Sequence, residues 1–368
     1  MKIALLLSLV LPWQEGEPGD FRIEPGEVSW TELREERFEL RWTLPDRREE
    51  GRDLLAEMER LLALRFEADL GEGRVLRSFG DVVAAARPLG PEERNALLGE
   101  LRTAAPGLMG DWGAGLSELL LDDRLYTDRW KPGKDHPRDG MLMADGWDLR
   151  DAGEPWSDIR VDPVLEQGAT LFYCDLPTLK AAECDYRVYP WNVDANYLEI
   201  FPLEDTYVVG EDPEGRPFSA LEMKFKADLP FPFSSYNTKL EILNRYRPDG
   251  VLQTDIYSTS SDFHWLAGRD VYLPVETSGG EFVSYLVVRH FGFDLDGVPD
   301  KRANRQEAVR GTLGNLRRNA EPCWDGVARR DPSFLREVPL QGNRDSIKKR
   351  ERERKKREKL ARQAEGKG

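Results

Sequence analysis

Near Val161 the hydrophobic period of this chain changes, and that change limits its fold more than any single motif does. Before it, apolar residues recur at helical spacing: Leu55, Met58, Leu62 and Phe66; then Leu97, Leu98 and Leu101 behind the helix-opening Pro91-Glu92-Glu93; then Leu116, Leu119 and Leu120. After it, alternation takes over. It is clearest where Leu221, Met223, Phe225 and Ala227 interleave with Glu222, Lys224 and Lys226. Helices first and strands later is the order of an α+β chain.

The helical part is expected over residues 30–125. A segment over 126–163 holds Trp130, Trp147 and Trp156 among Asp, Gly and Pro, with turn signals at Pro132-Gly133 and Asp145-Gly146, and is expected to be an irregular loop anchored by its tryptophans. Beyond it a strand is expected at Ala169–Tyr173 and a short helix at Leu179–Tyr186. Lys239–Arg247 and Val251–Ser258 should form a hairpin across Pro248-Asp249-Gly250. Phe263–Leu266 and Val271–Val275 extend the meander as two strands. Gly279-Gly280 then turns the chain into Phe282–Phe291, apolar on both faces. A last helix is expected from Asp300 to Ala320, with Val309, Leu313, Leu316 and Ala320 on one side and Gly311 and Gly314 permitting close approach to a sheet. The expected divisions are residues 1–16, 17–158, 159–330 and 331–368.

Both ends differ from the middle. Met1-Lys2 followed by apolar Ile3–Leu11 has the layout of an export signal over residues 1–16, which would place the protein outside the cytoplasm. A buried first strand, with a cytoplasmic protein, is the other reading. Cys174 and Cys184 could bridge in an oxidising compartment or be separate buried thiols. The segment 344–368 carries 12 Lys/Arg against 5 Asp/Glu, net +7, in a chain whose overall charge is −15. With hardly any apolar stripe, it is a solvated helix or an arm for an anionic surface. It lacks the interleaved aromatics of a nucleic-acid binder, so no specific nucleic acid is expected.

Composition excludes several classes. Apolar residues make up 40 % of the 368, enough for a core. No apolar run is long enough for a membrane-spanning helix, so the chain is not expected to span a membrane. Three cysteines, three histidines and no Cys-x-x-Cys pair argue against a structural metal site, and no cofactor is expected. No nucleophile elbow, phosphate-binding glycine loop or metalloprotease helix is present. Asp262-Phe263-His264 and His290 are the histidine-containing spots among the strands, where an imidazole could serve as a base. A lone strand histidine is more often a rim or surface residue, and His136 falls in the loop.

An antiparallel meander followed by Asp296-Gly297-Val298-Pro299 and one long helix, with the proline-rich Leu229-Pro230-Phe231-Pro232-Phe233 before the hairpin, resembles the START-like, or Bet v 1-like, helix-grip superfamily over about Ile159–Pro322. The resemblance implies a curved antiparallel sheet gripping the C-terminal helix, preceded here by a helical N-terminal region. It also implies a cavity between them for a hydrophobic small molecule or lipid. By alternation, Leu240, Ile242, Asn244 and Tyr246 share a face, as do Leu252, Thr254 and Ile256, and Tyr285, Val287, Arg289 and Phe291. Asn244, Tyr246, Thr254, Tyr285, Arg289 and Leu313 are therefore the candidate ligand contacts, without knowledge of which face is inner. The expected function is non-catalytic binding or carriage of a hydrophobic molecule. The alternatives are a cyclase- or hydrolase-type enzyme using His264 or His290 in the same cavity, and an envelope interaction protein acting through its basic tail.

Overall fold

Among the described residues, nine strands form one sheet in the order β1-β6-β7-β8-β9-β10-β11-β5-β4. The protein is seen here as a computed structural model. It describes residues 26–27, 44, 53–108, 110, 113–120, 141–153, 156–159, 162–172, 198–227, 236–247, 249–258, 263–295, 301–306, 308–310 and 313. The strands are β1 (Gly26–Glu27), β4 (Met141–Asp148), β5 (Val164–Phe172), β6 (Leu198–Glu211), β7 (Pro217–Ala227), β8 (Tyr236–Tyr246), β9 (Leu252–Ser258), β10 (Phe263–Glu276) and β11 (Phe282–Leu295). A separate hairpin joins β2 (Arg65–Asp69) to β3 (Val75–Ser78), and four helices are α1 (Leu54–Ala63), α2 (Phe79–Ala86), α3 (Pro91–Ala104) and α4 (Gly113–Leu120). Strands β6 to β11 run as an unbroken antiparallel meander, and β5 pairs antiparallel with the last strand, β11. The short β1 is parallel to β6. The whole is α+β, dominated by one large antiparallel sheet.

The two faces of that sheet have different covers. On the back face, α1 to α4 pack their apolar stripes onto Leu142, Ala169, Leu171, Val271, Leu273, Val275, Leu286 and Val288. Local chemistry fixes the helices there. The Asp53 side chain caps α1, and Ser78 and Asp81 form a reciprocal capping box on α2. Asp81 also accepts hydrogen bonds from the Ser278 N–H and hydroxyl, tying α2 to the β10–β11 turn. At Gly80 an added Cβ would stand 1.8 Å from the Glu276 carbonyl oxygen, so only glycine permits this approach. The buried guanidinium of Arg94 donates to the carbonyls of Ala86, Arg87 and Leu120, satisfying helix-end acceptors that would otherwise be stranded.

On the front face lies part of the expected last helix. Residues 302–306, 308–310 and 313 are helical, and Val309 and Leu313 are fully buried. They stand over strand β5: a Cβ at Gly168 would meet Leu313 Cδ1 at 2.8 Å and Val309 Cγ1 at 2.9 Å. Gly168 of the sheet is thus a glycine that permits this approach.

Three expectations need correction. Residues 30–125 are not helical throughout, because Phe66 sits in β2, not at the end of an α1 stripe. Gly71 and Gly73, both with positive φ, turn the chain there into the β2–β3 hairpin. The 126–163 segment is not irregular throughout: Met141–Asp148 is edge strand β4, and it extends the sheet N-terminal to the expected boundary at residue 159. Asp145-Gly146 marks a register shift in this strand, not a chain reversal. A Cβ at Gly146 would lie 2.6 Å from Val164 Cγ1. Finally, Phe263–Leu266 and Val271–Val275 are one strand. The polar Arg269 and Asp270 between them do not break it, because each is ion-paired on its own face.

The hairpin across Asp249-Gly250 is present, with Gly250 at φ 86. The expected features at residues 1–16, Trp130, His136, Cys174, Leu179–Tyr186, Cys184, Leu229–Phe233, Asp296–Pro299, Gly311, Gly314, Leu316, Ala320 and the 344–368 tail lie outside the described residues.

Candidate functional site

The front face carries one polar row in an apolar field. Ladder pairing sets Ser219 of β7 opposite Asn244 of β8, Asn244 opposite Thr254 of β9, Thr254 opposite Asp270 of β10, and Asp270 opposite Arg289 of β11. Arg289 in turn faces Gly168 of β5, so the row ends where Val309 and Leu313 sit. On one side it is flanked by Leu221, Ile242, Ile256, Gly268 and Phe291, and on the other by Tyr246, Leu252, Tyr272 and Val287. Successive strands are about 4.8 Å apart, so the five polar residues span roughly 20 Å across the sheet.

Every member of the row is buried, the most exposed being Ser219 and Arg289 at 4 %. Two chemical halves can be distinguished. On β7 to β9 the groups are neutral: the Thr254 hydroxyl donates to Asn244 Oδ1 at 2.7 Å, Asn244 Nδ2 donates to Ser219 Oγ at 3.3 Å, and Ser219 Oγ lies 3.5 Å from the Tyr246 hydroxyl. On β10 and β11 they are charged. Arg289 makes a two-pronged pair with Asp270, Nε to Oδ1 and Nη2 to Oδ2, and its guanidinium lies 5.7 Å from the centroid of the Phe291 ring. Next to the row, Glu166 of β5 is buried at 3.5 Å from Arg305 of the helical segment. Burial pushes its carboxyl upward, against the opposing pull of Arg305 and Arg302.

All six sequence candidates therefore come to the front face. Asn244, Thr254 and Arg289 are in the row, Tyr246 touches its neutral half, Tyr285 is four residues from Arg289 on the same face, and Leu313 caps the Gly168 end. Sequence reasoning missed Ser219, Asp270 and Glu166. Asp270 could have been found, because an acidic residue inside an otherwise apolar strand is expensive unless a cation faces it.

His290 does not join this face. His264 is exposed. His290 follows Arg289 in a strand and so points to the back, where it stacks on Trp147 with ring centroids 4.8 Å apart. Back-face chemistry is dense too. Asp255 accepts from Arg269 Nε at 2.7 Å, Gln253 Nε2 at 3.0 Å and Arg245. Burial raises its carboxyl, but the two guanidiniums and these hydrogen bonds outweigh that and hold it below the ordinary range. Arg269 Nη2 also donates to the Leu44 carbonyl at 2.9 Å, and the Leu44 N–H donates to the Tyr257 hydroxyl at 3.2 Å. These groups hold another part of the chain, which is a structural task.

No group of histidine, cysteine, aspartate or glutamate among the described residues is arranged to hold a metal ion, and no helix there is long and apolar enough to cross a membrane.

No protein-family model matches the chain, and neither does any curated protein. Solved structures similar to it include a STAR-related lipid transfer protein fragment (residues 25–204) from Xanthomonas axonopodis, at 12 % identity and a TM-score of 0.31, covering 44 % of this chain and 86 % of that one. Another is human StAR-related lipid transfer protein 5, at 14 % identity and a TM-score of 0.30, covering 46 % of this chain and 79 % of that one.

Proposed function

We propose that the protein binds a hydrophobic, lipid-like small molecule against the front face of its sheet, with the polar row fixing the polar end. The observation that carries this reading is the row itself. A buried Asp–Arg pair is commonly no more stabilising than apolar side chains of the same volume, and breaking it costs about 3–5 kcal/mol. A face that also buries Leu221, Ile242, Leu252, Tyr272 and Val287 gains little in folding from Asp270 and Arg289. Recognition supplies a reason for them, since small-molecule sites combine apolar walls with a few placed polar groups. The neutral half suits a hydroxyl or carbonyl, and the charged half suits a group that exchanges hydrogen bonds with a guanidinium–carboxylate pair.

The enzyme alternative has weaker support. Proton abstraction needs a base within reach of substrate, yet His264 is exposed and His290 faces away from Arg289.

The test is native mass spectrometry of protein purified without denaturant, followed by solvent extraction. The reading expects an apolar molecule bound in about 1:1 proportion, or uptake of added oleic acid. It also expects loss of both in the Asp270→Leu, Arg289→Met double variant, whose two charges leave together. Bare protein that takes up no oleic acid would overturn it.

A further inference from the structure

We propose that His290 is an acid-sensitive switch that loosens the docking of Leu44 and of the first turn of α1 on the back face. His290 is 2 % exposed, and neither ring nitrogen has a hydrogen-bond partner among the described residues. Its ladder partners are Arg269 on β10 and Gln167 on β5. Those two residues hold the two anchors: Arg269 binds the Leu44 carbonyl, and Gln167 Oε1 accepts from the Leu54 N–H at 2.9 Å. The imidazole thus lies in a row between the contacts that fasten Leu44 and α1.

A protonated ring in this place needs an acceptor and has a cation opposite it. The charged groups around it are Arg269 across the ladder, Asp255 and Arg245 beyond it, Asp294 further along the same face of β11, and Asp53 at the head of α1. The Trp147 ring stacks on the imidazole. Asp255 is already shared by Arg245, Gln253 and Arg269, and the Asp53 side chain caps Leu55 and Ala56. An imidazolium gains an acceptor by drawing Gln167 Oε1 from Leu54 or Asp255 from Arg269. Either movement undoes an anchor. Burial and Arg269, partly offset by Asp255, depress the ring to about 3, so the closed arrangement resists protonation and the opened one accepts it. Linkage then makes opening more favourable as pH falls below the ordinary histidine value of about 6.5.

Amide hydrogen exchange of the full chain at pH 7.5 and pH 5, corrected for intrinsic rates, tests this. In the wild type the Leu44, Leu54 and Leu55 amides should exchange at least about tenfold faster at pH 5, a ratio equivalent to about 1.4 kcal/mol, while the paired centre of β10 and β11 stays protected. His290→Phe, which keeps a ring against Trp147 and cannot be charged, should remove the difference. His290→Gln serves as the neutral variant should Phe fail to fold. Unchanged exchange in the wild type, or the same acid loosening in the folded neutral variant, would overturn the proposal. Neither outcome bears on ligand uptake at the front face.

Discussion

The same strands β8 to β11 and β5 carry polar residues through the middle of both faces, yet the two sets have different tasks. Thr254, Asp270 and Arg289 look forward, and their sequence neighbours Asp255, Arg269 and His290 look back. The back set is engaged with the rest of the chain: Asp255 gathers two arginines and a glutamine, Arg269 and Tyr257 clamp Leu44, and Gln167 receives α1. Contacts within the front set run mainly along the row itself. The lesson is that burial of polar groups does not by itself identify a site. Among the described residues, Ser219, Asn244 and Thr254 bond to one another and Asp270 to Arg289, whereas the back set reaches Leu44 and α1.

The largest expected effect is on the back. Asp255→Ala removes the buried carboxylate shared by the half-buried guanidiniums of Arg245 and Arg269 and should cost about 3–5 kcal/mol in denaturant titration. Removing both front charges together, Asp270→Leu with Arg289→Met, should leave stability within about 1–2 kcal/mol of the wild type while abolishing oleic acid uptake. A cheap Asp255→Ala, or an equally costly front double variant, would break the distinction between the faces.

Next comes pH. Histidine unfolded titrates near 6.5 and His290 folded at about 3, so the unfolded state binds more protons between those values. Its contribution is complete above about pH 6.5 and declines as pH falls, by about 1.4 kcal/mol per unit and about 2 kcal/mol at pH 5. Comparing wild type with His290→Phe in urea at pH 7.5 and pH 5 isolates it, because Asp255, whose carboxyl is held low, loses its own stabilisation in both proteins only at lower pH.

A smaller effect concerns the far end of the row. Gly168→Ala forces a methyl against Leu313 and Val309 and should cost about 1–2 kcal/mol by overpacking. It should also raise proteolytic cleavage near residues 302–313. Smallest is Thr254→Val, which leaves Asn244 Oδ1 without its 2.7 Å donor. It should cost about 1 kcal/mol in stability, with a several-fold fall in oleic acid affinity.

Much of this sheet was legible because alternation is strict where one face meets water or a different chemistry from the other. The β8–β9 hairpin shows the point: Asp249-Gly250 supplied the turn, and alternation set Asn244 with Tyr246 on one strand and Thr254 with Leu252 on the other. What failed, failed for physical reasons. Leu62 and Phe66 stand at helical spacing across a strand start, and four residues cannot distinguish one helical face from a helix end plus a strand. Asp145-Gly146 has the composition of a turn, although the glycine serves a bulge packed on Val164. Arg269 and Asp270 broke the apolar pattern of β10, since their partners Asp255 and Arg289 lie on other strands. Alternation set Asn244 with Tyr246 and Tyr285 with Arg289 but had no means of naming the face. Gly168 under Leu313 does that, a close approach of residues 145 positions apart in sequence.

The most direct test of the front-face claim is photo-crosslinking with a diazirine-bearing fatty acid, read by peptide mapping of the full chain. The account predicts label on β8, β9 and β11 at front-facing positions such as Ile242, Ile256, Val287 and Phe291, competed by oleic acid and lost in the Asp270→Leu, Arg289→Met variant. Label on α1 to α4, or scattered adducts that oleic acid does not displace, would contradict it.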